Sequence, residues 1–453
     1  MEKDTINPYT SDSDRIDAKD IEAGTIAPLP ATTSGKPESE APAGPAAPDA
    51  GPVPDGGLDA WLQVLGSTII LAETWGLINS FGVFQAYYQT DLLAATSSSS
   101  DISWIGSLQG SLLMLVGVIS GPLFDAGYFR HLLWAGMFLI VFGQFMTSLC
   151  SSYWQVVLAQ GVCIGIGMGF TFLPSAAIMS QYFSKRRALA LGIASAGSPV
   201  AGIVFPIIFS GLQPSIGFGW ATRVIAFILL ALAIIPLACM HTRIPPNKKR
   251  ALIDKSALRE LPFLTFISGG FLAFLTLYVP FFYISIFSTS HQISADYFAP
   301  YLVTLLNVGS VFGRIVPNWL ADSYGSLNML IICTFVSAIL AFAWLGIHNL
   351  GGLCVFALLY GTFSGGLVSL NPSVIVTLSP DMGRVGARMG MSFLATGISI
   401  LIGTPIAGAI LGEFTEAEWM GTMGYAAAGM LLATAMYGTS RFLIYKKNGH
   451  WRA

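Results

Sequence analysis

The chain is short of charge. Only 10% of its 453 residues are Asp, Glu, Lys or Arg, while 54% are hydrophobic. Water-soluble domains carry about 25% charged residues, so this shortage excludes an ordinary soluble enzyme. A basic excess is also lacking. The 22 lysines and arginines stand against 24 acids, and no nucleic-acid partner is expected. Cysteines are few: Cys150, Cys163, Cys239, Cys333 and Cys354 all fall inside apolar stretches. They form neither a disulfide framework nor a C-x-x-C metal pair and read as packing residues. None of the five histidines (His131, His241, His291, His348 and His450) has a ligand partner at metal-binding spacing. The G-x-x-x-x-G-K-[ST] loop that holds ATP is absent. The expectation is no metal, no cofactor and no catalytic residue.

What the chain has in abundance is apolar runs. Residues 1–58 are the exception, with 11 of the 24 acids and nine of the 24 prolines. They cannot bury enough surface to offset their ordering entropy and read as a disordered cytoplasmic tail. No apolar stretch within them is long enough for a signal peptide, so the first span is expected to direct insertion. About 20 apolar residues cross the hydrocarbon core as a helix. On that basis twelve spans are expected, at 62–86, 102–123, 131–150, 154–177, 188–211, 220–240, 263–287, 297–320, 327–347, 351–376, 386–411 and 420–443. Lysine and arginine accumulate on the cytoplasmic side. With the amino terminus inside, 16 of the 18 that follow residue 58 fall on that side. The outer loops instead carry Asp91, Asp101, Asp296, Glu413, Glu416 and Glu418. Both termini are thus expected inside, in the cell membrane, with a vacuolar or other internal membrane left open.

The longest inner loop, 241–262, carries Lys248, Lys249 and Arg250 and separates six spans from six. The expected bundles are 59–240 and 263–443, with a cytoplasmic tail at 444–453. The halves echo each other weakly. Gly121 through Gly127 follows span two, and Gly313 with Ala321 through Gly325 takes the matching place after span eight. Gly192 and Pro206 in span five correspond to Gly390 and Pro405 in span eleven. Two six-helix repeats imply a solute site between the halves and access alternating by rocking.

Three motifs then carry a resemblance. They are Pro54-Asp55-Gly56-Gly57 before span one, the run from Tyr182 to Gly192 continuing to Gly197, and Gly121 through Arg130. With them the chain resembles the major facilitator superfamily, in particular its monocarboxylate-porter branch and the fungal members of that branch. The resemblance implies an all-α integral membrane fold of twelve helices in two six-helix repeats. It also implies a cytoplasmic gate built from Asp125, Arg130, Lys185, Arg186, Arg187 and Asp322. Ala126 stands where the superfamily has a basic residue, and Leu58 where the branch has an aromatic.

Intramembrane charges need an explanation, because each costs about 2.5–3.5 kcal/mol at a helix centre on insertion scales. Arg223 lies near the outer end of span six and reads as an interfacial anchor. Arg314 is about 12 Å deep at 1.5 Å per residue. Its side chain tilts away from the nearer surface, so it is expected to face the pore. Asn307, Ser310 and Arg314, at i, i+3 and i+7, share one helix face, with Asn318 slightly off it. In the branch that the chain resembles, Ser310 stands at a proton-coupling aspartate and Asn79 at a substrate-binding lysine. Glu73, deep in span one, has three open readings: a proton acceptor, an internal partner for an arginine, or a protonated carboxyl bonded to a neighbouring helix. The translocation candidates are Arg314, Asn79, Glu73, Asn307 and Ser310.

Tyr278, Phe281, Phe282 and Tyr283 around Pro280 either line an aromatic cavity for a planar substrate or serve lipid-facing or interfacial packing. Cys163 through Gly169, with glycine at every second position from Gly165, reads as close helix packing. The expected activity is secondary active transport of a small organic solute by alternating access. Efflux of a metabolite, such as a fungal secondary metabolite or an organic acid, is favoured. Two alternatives stay open: proton-coupled monocarboxylate uptake and a non-transporting sensor. The expected partners are the solute, for which Arg314 favours an anion or a polar, carbonyl-rich compound, together with protons and the lipid bilayer.

Overall fold

A computed structural model describes residues 54–184, 186–243, 254–295, 297–379 and 382–448; most of the 1–58 tail and residues 449–453 lie outside it. The described residues are helical, with no strand among them. Nine stretches are long and apolar enough to cross a membrane. One of these holds two helices that meet at Gly217, whose φ of 78° and ψ of 166° interrupt the helical path. Two more long helices, Tyr301–Tyr324 and Glu416–Asn448, complete a set of twelve.

We number them α1 (Leu58–Leu92), α2 (Ser99–Asp125), α3 (Phe129–Thr147), α4 (Tyr153–Tyr182), α5 (187–216) and α6 (218–239). The second repeat holds α7 (Leu261–Ser290), α8 (Tyr301–Tyr324), α9 (Ser326–Trp344), α10 (Leu350–Leu378), α11 (Met382–Leu411) and α12 (Glu416–Asn448). Most helices run past the apolar windows read from the sequence, because backbone bonding does not stop where the hydrocarbon does. Each end still needs partners for its free N–H groups. At the start of α2, Ser98 and Asp101 form a capping box. At the start of α10, the Asn349 side chain accepts from the Gly352 N–H at 2.7 Å.

The residue 241–262 linker defines one end of the bundle, the linker end; the other is the far end. The described linker residues are fixed to the second repeat by a buried guanidinium. Arg388 of α11 donates to Asp254 at 3.0 Å, to both carboxylate oxygens of Glu260, and to the Leu378 carbonyl at 2.8 Å. Its charge also lies over the Phe263 ring, 5.0 Å from the centroid. The Arg388 side chain is 0% exposed.

Small residues set how closely helices approach. Where helix backbones touch, a Cβ has no room. A Cβ on Gly313 of α8 would lie 1.8 Å from the Thr362 carbonyl oxygen, and one on Gly361 of α10 would lie 1.9 Å from that of Leu306. The α8–α10 pair is thus locked backbone to backbone, and it carries Arg314 next to Gly313. Gly165, Gly167 and Gly169 in turn pack against α2 and α3, the helix packing expected of that stretch.

Candidate functional site

Two helices lose their regular path midway through the bundle. In α1 the π-helical turn Ala72–Gly76 is followed by a break at Ser80 (φ −89°, ψ −7°), where the Ser80 hydroxyl donates to the Gly76 carbonyl at 2.7 Å. The break in α7 is at Tyr278 (φ −85°, ψ −4°), ahead of Pro280, whose ring nitrogen cannot donate. There the Tyr360 hydroxyl donates to the Leu277 carbonyl at 3.0 Å. Irregular backbone inside a membrane is tolerated where protein or a cavity surrounds it. A narrow cavity does lie between these breaks, lined by Asn79, Tyr278, Phe281, Ser310, Arg314 and Ser364 among others.

The cavity joins one helix of the first repeat, α1, to α7, α8 and α10 of the second. Only about 10 Å³ of it is open to the centre of a water molecule, close to what a single water requires. An organic solute enters only if the helices move apart.

Arg314 is held from across the repeats. One terminal nitrogen donates to the Ser195 carbonyl at 3.2 Å and the other to the Ser198 hydroxyl at 3.4 Å, both on α5. Its Nε has no partner. All of these partners are neutral, and no carboxylate among the described residues pairs with it. The same Ser198 hydroxyl accepts from Asn79 at 3.2 Å, so one serine ties α1 and α8 to α5. Asn307 donates to its own helix at Val303 and, at 3.5 Å, to the Asn79 carbonyl. Its carboxamide oxygen has no partner and presses on Gly202 of α5, where a Cβ would lie 2.2 Å away. Asn318 donates to the Arg314 carbonyl at 2.8 Å and to Ser369 at 2.7 Å.

Asn79, Ser310 and Arg314 therefore share one cavity, and Asn307 lies against it. Glu73 does not line it. Two readings of Glu73 are corrected, the partner for an arginine and the carboxyl bonded to a neighbouring helix: the group is fully buried, and neither oxygen has a hydrogen-bond partner. Six residues of helix turn it away from the face of Asn79. Tyr278 and Phe281 line the cavity, while Phe282 and Tyr283 are buried between the repeats. None of the four faces lipid. Arg223 bonds Ser148 at 3.2 Å and lies 4.9 Å from the Trp220 ring centroid, as suits an anchor.

The residues expected to form a charged gate are only partly described. Lys185 and the side chains of Arg187 and Asp322 lie outside the described residues. Asp125 is half-buried at the end of α2, and Arg130 is exposed on the first turn of α3. The Arg186 N–H points at Asp55 of its own repeat at 3.5 Å, and the same carboxylate accepts from the Ser184 N–H at 2.6 Å.

Sequence reasoning missed Ser195, Ser198 and Ser364. The first two flank Gly197, whose Cβ would lie 2.0 Å from the Thr68 carbonyl oxygen of α1. Ser195 contributes a backbone carbonyl, which no sequence pattern marks, and the contacts of Ser198 are made only once the helices pack.

Known proteins bear on this geometry. A family model described as Major Facilitator Superfamily matches residues 60–317 and 267–450. The MFS-type transporter dbaD of Emericella nidulans is 44% identical over 379 residues, covering 84% of this chain and 85% of that protein. The Aspyridones efflux protein apdF of the same organism is 38% identical, covering 82% and 75%. The Agnestins efflux protein AgnL12 of Paecilomyces divaricatus is 39% identical, covering 78% and 81%. Among solved structures, a mutant of the nucleoside transporter NupG superposes with a TM-score of 0.63 at 14% identity, covering 83% of this chain and 99% of its own. That likeness concerns the fold.

Proposed function

We propose, because this chain belongs to the Major Facilitator Superfamily, that it is a multi-pass membrane transporter that exports a secondary metabolite by alternating access. Relatives named as efflux proteins for aspyridones and agnestins support the direction and the class of solute. The observation that carries the site is the uncompensated Arg314. A buried guanidinium with only neutral partners leaves an unmet demand for negative charge. The solute is accordingly an anion, or a polar compound with clustered carbonyl oxygens, and it meets Arg314 between Asn79, Ser310 and the rings of Tyr278 and Phe281. The linker end faces the cytoplasm of a cell whose plasma membrane holds the protein.

Coupling to protons is the second element, favoured by Glu73. A carboxylate with no bonding partner and no exposure is stable in a membrane only as the neutral acid, so a change of access that wets it would release a proton. Uptake of monocarboxylates by the porter branch is the weaker reading, since Asn79 and Ser310 stand where that route uses charged groups. Gene deletion tests the export reading. Without the transporter, one metabolite should rise inside cells and fall in the medium, and re-expression should restore the ratio. An unchanged distribution of every metabolite would reject it.

A further inference from the structure

At the far end of the bundle the two repeats meet, among the described residues, through aromatic, hydroxyl and carbonyl groups. Beyond the break at Ser80, α1 continues as Phe81–Tyr87; beyond Tyr278, α7 continues as Val279–Ser290. These outer segments touch through Gly82, where a Cβ would lie 2.1 Å from the Phe281 carbonyl oxygen. The Phe81 and Phe282 rings pack beside it with centroids 4.8 Å apart. A chain of polar groups then crosses the repeats. Gln85 of α1 donates to the Ser103 hydroxyl of α2 at 2.9 Å, and that hydroxyl bonds the Tyr283 hydroxyl of α7. Tyr283 donates in turn to the Thr404 carbonyl of α11 at 3.2 Å, and the Thr404 hydroxyl bonds Ser107 of α2. Closer to the far end, the Ser100 hydroxyl donates to the Pro405 carbonyl at 2.9 Å. Gln85, Ser103, Ser107 and Tyr283 are all 0% exposed.

The Tyr283 hydroxyl bonds groups on both α2 and α11, and it stands two residues beyond Phe281, which lines the cavity. A helical segment moves as a rigid piece about its break. We propose that Tyr283 is a positioning residue that latches the far end shut, and that a solute displacing Phe281 pulls the Tyr283 hydroxyl out of the Ser103–Thr404 bonds, so that opening follows loading. This rests on the export reading for the role of the cavity, but the latch can be measured without any solute.

The test is the distance between spin labels, carried on non-natural amino acids at Thr96 and Glu413, in the full chain in lipid nanodiscs. The wild-type chain should show mainly the short, closed distance. Tyr283→Phe keeps the ring and removes only the hydroxyl, and it should raise the open-to-closed ratio about 2- to 10-fold, as expected for its one buried hydrogen bond that crosses the repeats, to Ser103. Ser103→Ala should do the same from the other side of that bond. The double variant should add little, because both remove one shared interaction. If Tyr283→Phe does not fold, Ser103→Ala and Gly82→Ala give the same readout, the latter by wedging the outer segments apart. A residue that only stabilised the fold would lower the melting temperature and leave the distances alone. Unchanged distances in Tyr283→Phe, or in Ser103→Ala and Gly82→Ala, would overturn the latch while leaving the export reading intact. A deletion strain with normal metabolite distribution would do the reverse.

Discussion

The anchoring of the linker on α11 is a test of how this chain handles buried charge. Arg388 is 0% exposed, while the Asp254 and Glu260 side chains are 10% and 39% exposed. Replacing Arg388 by Met takes the nearest cation from two carboxylates that water can reach, and leaves Asp254 its bonds from Ser256 and Arg384 at 4.0 Å. Replacing both acids by Ala strands a guanidinium that water cannot reach, with the Leu378 carbonyl and the Phe263 ring left to it but no carboxylate. Lost hydrogen bonds to charged groups cost about 1.5–3 kcal/mol, and rehydration brings Arg388→Met to the low end of that range. Leaving a charge buried without its partner costs about 3–5 kcal/mol. Asp254→Ala with Glu260→Ala should therefore be the more damaging change, although it removes the more exposed side chains. The triple variant, with Arg388→Met added, should recover most of the difference. Unfolding in mixed micelles, followed through tryptophan fluorescence, measures the order. Equal or greater loss in Arg388→Met would refute the reasoning. A pH series adds a second check. The bond from the Ser256 hydroxyl, followed by the Arg388 guanidinium, holds the Asp254 carboxyl at about 2, below the ordinary value of about 3.9. A depressed folded-state value contributes stability that is complete above the unfolded value and is lost as pH falls through the folded one. The gap between wild type and Asp254→Asn should be flat from pH 8 to about 5 and close between about 4 and 2.

Three further outcomes are expected. Gly313→Ala, whose Cβ would lie 1.8 Å from the Thr362 carbonyl oxygen, should push α8 from α10, displace Arg314 and reduce export at least 10-fold at equal membrane level; near-normal export would mean that this backbone contact does not position the arginine. A cysteine at Ser97 should react with an impermeant thiol reagent on intact cells, and one at Lys255 only after permeabilisation; the opposite pattern would invert the orientation. Glu73→Gln should preserve solute binding but abolish the dependence of export on an imposed pH gradient, and retained dependence would remove Glu73 from the coupling.

Much of the architecture was legible because the membrane imposes a single period on the sequence. Apolar windows and the placement of lysine and arginine locate the helices without any knowledge of their neighbours. The depth of Arg314, and the stripe it shares with Asn307 and Ser310, are likewise local facts of spacing. What escaped is made between helices. Ser198 is an unremarked serine until α1 and α8 are folded against α5, and Tyr283 becomes a bridge only once Ser103 and Thr404 stand on either side of it. Such pairs lie more than 100 residues apart and leave no periodic trace. The breaks in α1 and α7 were obscured for a related reason. Pro280 marks a site where a helix can bend, but the backbone conformation at Ser80 is set by packing. The burial of Arg388 was not legible either, because composition does not distinguish a loop arginine from one on the first turns of a helix that folds inward.

The central claim is that the solute crosses through the cavity around Arg314. Its most direct test is export of the retained metabolite by purified protein in proteoliposomes, comparing wild type, Arg314→Lys and Arg314→Ala at equal incorporation. Lysine keeps the charge but lacks the planar set of donors that now reaches Ser195 and Ser198 together. Its export should fall sharply, and the alanine variant should show none. Export at the wild-type rate by Arg314→Ala would contradict the account, and the stripe through Asn307 and Ser310 would then be helix packing alone.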